Sequence, residues 1–355
     1  KTIYVNTANT VEKVIVNSAE LTAFDANLIA DCWNSLFRYT SRVSLTANTW
    51  MWSSSIYNNA EFTLVERPNY EQGGMLVNKV DGIGNGIYED DESNYWYEFI
   101  PAAVQEAIAS GSDEKFPLYV LFHGGAEHGL FDAEFLGLAD VAMEENFIIV
   151  APNGRGADAH MALIDLMIEK YNADPSRVYC SGFSGGVSNV LSLSAAYPER
   201  LAAVMAMSRW SGPFFTDLVE AIPNYDYDLD LPIGFVGNGK ETESTNYDNQ
   251  YVWYDALVLA FDINEIEIYD GELDFSKYYF WGFPVEDETF NNTAVGYPIW
   301  KAVKYDENGI PMVHLMHAES ITHNMYVEYG AHIWEWFKQF SRDQETMEII
   351  YTPGE

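Results

Sequence analysis

The sequence predicts an α/β protein: a mostly parallel central sheet flanked by helices, preceded by a smaller β-rich region. Two observations carry this expectation. From Tyr95 onward, continuous apolar runs end in glycines, as in "FPLYVLFHGG", "NFIIVAPNGRG" and "SRVYCSGFSGG", which is how strands buried on both faces read. Between them lie segments of helical period, and strands alternating with helices imply right-handed parallel crossovers.

Each element follows from its own pattern. "YWYEFIPA" alternates as an edge strand does and stops at Pro101. In "HMALIDLMIEKYN", Leu163, Leu166 and Met167 fall on one helical side, and "VSNVLSLSAAYPERL" reads as a helix ended near Pro198. "LAAVMAMS" and "LPIGFVGNG" add two strands, and "PMVHLMH" is the second strand of a hairpin turning at Asn308-Gly309. "YGAHIWEWFKQF" is the last helix, with Ile333, Phe337 and Phe340 on its apolar face.

Ahead of this block, "TIYVN", "EKVIVN" and "EFTLVE" are short strand-like runs. One helix is expected after Ser18, where Leu21, Phe24, Leu28, Cys32 and Leu36 recur at helical spacing. The acidic "YEDDESN" reads as a linker, which divides the chain into an N-terminal accessory region, 1–90, and a main domain, 91–355. Within the latter, stretches around 210–231 and 243–300 read as lid-like insertions.

Composition narrows the partners. The 355 residues include 18 Lys+Arg against 54 Asp+Glu, a formal net charge of -36, which repels phosphate backbones and anionic lipid heads. Neither nucleic acid nor a membrane is an expected partner. No apolar run approaches the roughly 18–20 residues of a transmembrane helix. Only Cys32 and Cys180 are present; they could form one disulfide, but Cys180 reads as a small buried apolar residue. The abundance of Tyr, Asn, Trp and Asp suits a secreted or cell-surface bacterial protein. The chain opens on "KTIYVNT", without a signal peptide in it.

The stretch Gly182-Phe183-Ser184-Gly185-Gly186 fits G-x-S-x-G between a strand and a helix. Such a turn is so sharp that its neighbours must be small, and it lifts the serine oxygen clear of the sheet. A glycine-rich turn holding a capping serine is the plain alternative; the strand–helix context favours a nucleophile. The Gly185 N–H, at the positive end of the following helix, can hold a developing oxyanion. "LFHGGAEHG" supplies the second donor: the Gly125 N–H, with Ala126 as the near alternative. His123 reads as a brace for this loop and His128 as a solvated loop residue.

A serine hydroxyl needs a base. Among the seven histidines, the chain order nucleophile, acid, histidine leaves His314, His317, His323 and His332. His332 belongs to the last helix and His314 to a strand. His323, in the loop "SITHNMYVEYG", is the first choice, with His317 in reserve. The acid belongs after "LPIGFVGNG", where Glu241, Glu243 and Asp248 all qualify and Glu241 stands closest to the strand end.

"FPLYVLFHGG", "NADPSRVYCSGFSGG", "YDENGIPMVHLMHAESITHN" and "IWEWFKQFSR" together resemble the polyhydroxybutyrate-depolymerase-like esterases grouped with carbohydrate esterase family 1, which include feruloyl and acetylxylan esterases. The resemblance spans roughly 95–342 and implies the α/β-hydrolase fold, Ser184 as nucleophile and His323 as base. Where that family carries Asp, this chain has Thr242 between Glu241 and Glu243.

The expected activity is serine carboxylic-ester hydrolysis through an acyl-enzyme, on acetyl or feruloyl esters of plant polysaccharide or related short-chain esters, with no cofactor. Ser208 and Trp210 of "SRWSGPFF" are placed to line the substrate pocket. "YDYDLDLP" lacks the spacing of a calcium loop, so no metal is expected. The alternatives are a serine peptidase of prolyl-oligopeptidase type, for which ninety residues are too few to build a propeller, and a non-catalytic carbohydrate or cell-surface binding module on a hydrolase scaffold.

Overall fold

The structure is a computed structural model that describes residues 2–5, 11–16, 19–20, 61–62, 74–82, 84, 86–88, 94–125, 129–207, 229–238, 287–291, 298–306, 308–318, 325 and 329–354. At the N-terminus, β1 (Thr2–Val5), β2 (Val11–Val16), β3 (Ala19–Glu20) and β4 (Glu61–Phe62) form a four-stranded sheet in the order β3-β2-β1-β4. The helix expected over Leu21 to Leu36 lies outside the described residues.

The main body is a ten-stranded sheet in the order β12-β13-β14-β11-β10-β9-β7-β8-β6-β5. Its six central strands are β7 (Phe116–Phe122), β8 (Ile148–Pro152), β9 (Ala173–Phe183), β10 (Ala203–Met207), β11 (Ile233–Asn238) and β14 (Val313–Ala318), all parallel. An antiparallel pair closes each edge: β5 (Leu76–Asp81) with β6 (Tyr95–Ile100), and β12 (Asp287–Asn291) with β13 (Pro298–Lys304). This is the α/β-hydrolase type of architecture, as the sequence predicts.

One strand is placed differently from expectation. β6 is not an edge strand: β5 pairs along it from Leu76↔Ile100 to Asp81↔Tyr95. Its alternation reflects partial cover of the face that carries Tyr95 and Tyr97, with Trp96 and Glu98 on the other face buried, rather than a free edge. At the other margin, β12 lies within a stretch read as an insertion.

Every residue of β7, β8 and β10 is buried, and alternate side chains feed two cores. Leu118, Val120 and Phe122 point to one face with Val178, Cys180 and Val204. There α4 (Ala157–Tyr171) and α5 (Val187–Ala196) cover them through Leu163, Met167, Val190 and Leu191. On the other face, Tyr119, Leu121 and Tyr179 meet α2 (Gly129–Phe135), α3 (Leu138–Glu145) and α6 (Tyr329–Phe337). α1 (Ala102–Ser110) follows Pro101 and buries Val104. No described helix is long and apolar enough to cross a membrane.

This distribution follows from strand order. The chain steps outward from β7 to β8 and then returns across β7 to β9 and β10. Right-handed crossovers put connections running in opposite directions on opposite faces, so α2 and α3 lie opposite α4 and α5. The reversal falls between β7 and β9. Beyond the carboxyl ends of those two strands an open α/β sheet leaves a crevice for ligand.

Two buried charges tie distant segments together. Glu98, fully buried, accepts hydrogen bonds from Trp96 Nε1 (3.0 Å), Lys170 Nζ (2.9 Å) and Tyr171 Oη (2.5 Å). Arg342, 1% exposed, donates to the carbonyls of Leu201 (2.6 Å), Met347 (2.5 Å) and Asp230 (2.7 Å). Burial pushes its guanidinium down to about 10. Arg342→Met leaves three carbonyls without that donor, and denaturant unfolding should show a loss of about 2–4 kcal/mol.

Candidate active site

Ser184 stands where β9 ends, at the start of a 3-10 turn (Ser184–Gly186) that runs directly into α5. Its φ is +48°, left-handed for a residue with a Cβ, a conformation that costs of the order of 1–2 kcal/mol. The surroundings hold it there. A Cβ at Gly182 would lie 2.4 Å from the Gly186 carbonyl oxygen, and one at Gly186 would lie 2.2 Å from the Phe122 carbonyl oxygen. Both separations are far inside van der Waals contact, so only glycine permits the turn. The strain is what lets the chain reverse from strand to helix within one residue and leave Ser184 partly exposed.

The end of β7 lies alongside. Phe122 is in register with Gly182, which carries the following residues, His123 to Gly125, toward the serine turn. A Cβ at Gly185 would sit 3.2 Å from the Gly125 amide nitrogen, so the two N–H-bearing residues named from sequence are neighbours. The helical start at Ser184–Val187 has no acidic residue in its first turn, which leaves its positive end uncompensated and suited to an oxyanion.

Two supports of this loop escaped the sequence reading. Asp132, fully buried in α2, accepts the Gly124 N–H at 3.1 Å and anchors the peptide just before Gly125. No local signal marks it, because it acts eight residues away through a tertiary contact. His160, on α4, is fully buried; its ring lies 4.6 Å from that of Phe122 and its Nδ1 pairs with Tyr88 Oη at 3.1 Å. Burial drives its pKa down to about 4, keeping it neutral. His123 donates from Nδ1 to the Gly124 carbonyl (2.7 Å), and burial lowers its pKa. It therefore braces the loop, as its sequence context suggests.

The structure thus brings Ser184, Gly185 and Gly125 together at the point where strand order reverses. His323, Glu241, Glu243, Asp248, Ser208, Trp210, Ala126 and His128 lie outside the described residues. His317 pairs through its backbone with Gly237 and Trp300 in the carboxyl half of β14, whereas His314 sits near that strand's beginning. Cys180 is a buried free thiol, pushed up by burial; Cys32 is not among the described residues.

No family model matches this chain. No curated protein matches it either. Solved structures do. An acetyl xylan esterase from Aspergillus awamori is 15% identical with a TM-score of 0.47, over 74% of this chain and 99% of that one. An S-formylglutathione hydrolase from Agrobacterium tumefaciens is 11% identical with a TM-score of 0.46, over 76% and 96%. The feruloyl esterase module from Clostridium thermocellum, complexed with sinapinate, is 13% identical with a TM-score of 0.41, over 74% and 86%.

The turn geometry yields two expectations. Ser184→Gly relieves the left-handed strain, so it should unfold at higher denaturant than Ser184→Ala, by roughly 1 kcal/mol. Gly185→Ala presses a methyl toward the Gly125 amide. Steady-state kinetics on an activated ester should show kcat falling about 10–100-fold, with circular dichroism unchanged.

Proposed function

We propose that the protein is a serine carboxylic-ester hydrolase working through an acyl-enzyme. The observation that carries this reading is the strained Ser184, held at the sheet's switch point beside the Gly125 and Gly185 amides. A left-handed serine at this place has a chemical use, since it presents Oγ above the sheet with donors on one side. A capping serine needs neither the strain nor the neighbouring amide.

In the proposed cycle, Ser184 Oγ adds to the ester carbonyl while its proton passes to His323. The Gly125 and Gly185 N–H groups hold the oxyanion. The C–O bond to the alcohol breaks as His323 returns the proton to it, leaving Ser184 acylated. Water then gives a proton to His323 and attacks the acyl carbonyl, and the collapse frees the acid and restores the serine. Glu241 is the first choice to orient the imidazole, with Glu243 and Asp248 the alternatives, and Ser208 and Trp210 flank the ester. The substrate class proposed from the sequence resemblance is acetyl or feruloyl esters of plant polysaccharide, or related short-chain esters. Residues 1–90 serve as an accessory region, and the stretches around 210–231 and 243–300 supply lid-like cover.

A fluorophosphonate probe should label wild type at Ser184 and leave Ser184→Ala unmarked. Wild type should release p-nitrophenol from short acyl esters but not cleave peptide anilides, and Ser184→Ala should lose at least about 10³-fold in kcat. One of Glu241→Ala, Glu243→Ala and Asp248→Ala should lose roughly 10²–10⁴-fold while the others stay near wild type. Complete resistance of wild type to the probe would leave the binding-module reading standing; anilide cleavage would favour a peptidase.

A further inference from the structure

Arg155 stands beyond the carboxyl end of β8, across the Gly125 loop from Ser184. β8 is two strands from β9 in the sheet order, with β7 between them, roughly 10 Å at ordinary strand spacing. The register sets the height. Val120 pairs with Val150 and Phe122 with Gly182, so Gly154 leaves β8 at the level where Ser184 leaves β9. Between them, the His123 ring hydrogen-bonds to the Gly124 carbonyl and to the Asn153 side chain, and the Arg155 charge acts on that ring. The guanidinium therefore flanks the oxyanion loop.

The backbone on either side of Arg155 is fixed. A Cβ at Gly154 would lie 2.2 Å from the Tyr88 ring, and Gly156 has φ +104°. The arginine side chain itself is exposed. Other described cations have carboxylate partners: Lys170 with Glu98, Arg177 with Asp174, Arg200 with Asp165 and Lys338 with Glu145. Arg155 has none among the described residues. Asp158, the nearest carboxylate in sequence, accepts the Tyr197 hydroxyl at 2.7 Å. In a chain of formal net charge -36, this guanidinium is open to a carboxylate from outside, which an arginine fork takes through two parallel N–H bonds.

The sheet order also says which end of an ester would meet it. The proposed base follows β14, on the opposite side of β9 from β8. A leaving alcohol must face the base that protonates it, which turns the acyl chain toward β8. We propose, resting on the ester-hydrolase reading above, that Arg155 selects esters whose acyl group ends in a carboxylate. The guanidinium pairs with that carboxylate while the Gly125 and Gly185 amides hold the carbonyl oxygen. Hydrolysis of such an ester by one water yields the free alcohol and a dicarboxylic acid.

Mono-p-nitrophenyl adipate and its neutral methyl ester, which match in acyl length, test this. For wild type, kcat/KM for p-nitrophenol release should be at least about fivefold higher with the acid, and Arg155→Met should lower that ratio at least about fivefold. The corresponding ratio for 4-acetoxybenzoate and its methyl ester, where the carboxylate sits on the alcohol, should not respond to Arg155→Met. Calorimetric titration of the p-nitrophenyl pair into Ser184→Ala reads binding without turnover. There the acid should bind at least about fivefold more tightly, and adding Arg155→Met should remove the preference. No preference for the acid in Ser184→Ala, a ratio unmoved by Arg155→Met, or a response confined to 4-acetoxybenzoate would each overturn the proposal. If Ser184→Ala shows the preference while wild type cleaves neither ester, the carboxylate contact stands and the ester-hydrolase reading falls.

Discussion

Where Gly186 lies over the Phe122 carbonyl, two adjacent strands and the first turn of a helix meet with no room for a side chain. That contact sets the separation between the ends of β7 and β9. It forces the left-handed conformation of Ser184 and brings Gly185 against the Gly125 amide. The strain stored in one residue persists because tightly packed neighbours leave the backbone nowhere else to go. The fully buried strands beneath supply that rigidity.

Polar groups with their own partners secure the same region. Asp132 fixes the peptide ahead of Gly125, and His160 packs its neutral ring under Phe122. Neither acts through charge at the surface. Glu98 and Arg342 play comparable parts at the sheet margin and the chain's end, each joining segments far apart in sequence by several hydrogen bonds to one buried group. In a strongly acidic chain, most carboxylates must face solvent. Among the described residues, the buried Glu98 and Asp132 each accept specific hydrogen bonds.

The central strands were legible because burial on both faces demands unbroken apolar runs, as "FPLYVLF" and "VYCSGF" show. The hairpin before His314 was legible from Asn308-Gly309, where Asp306 Oδ1 accepts the N–H groups of Asn308 and Ile310 and Gly309 has φ +77°. The margins were not. β5 and β12 join the sheet through backbone pairing to a neighbour, which leaves little trace in side-chain pattern. For the same reason the alternating sequence of β6 reads as an edge although β5 pairs along it. Asp132 was missed because a carboxylate in "GLFDAEF" resembles any other helical surface charge until the fold turns it inward.

The sequence alone determined the alternation of strand and helix and the strand–serine–helix turn at Ser184. These depend on periodicity and on local backbone sterics, which act between near neighbours. Only the tertiary structure decided that the ends of β7 and β9 lie side by side at the reversal of strand order, and that Asp132 turns inward to accept the Gly124 N–H. Such facts depend on which distant segments are packed together, and the chain's local chemistry does not encode them separately from the fold.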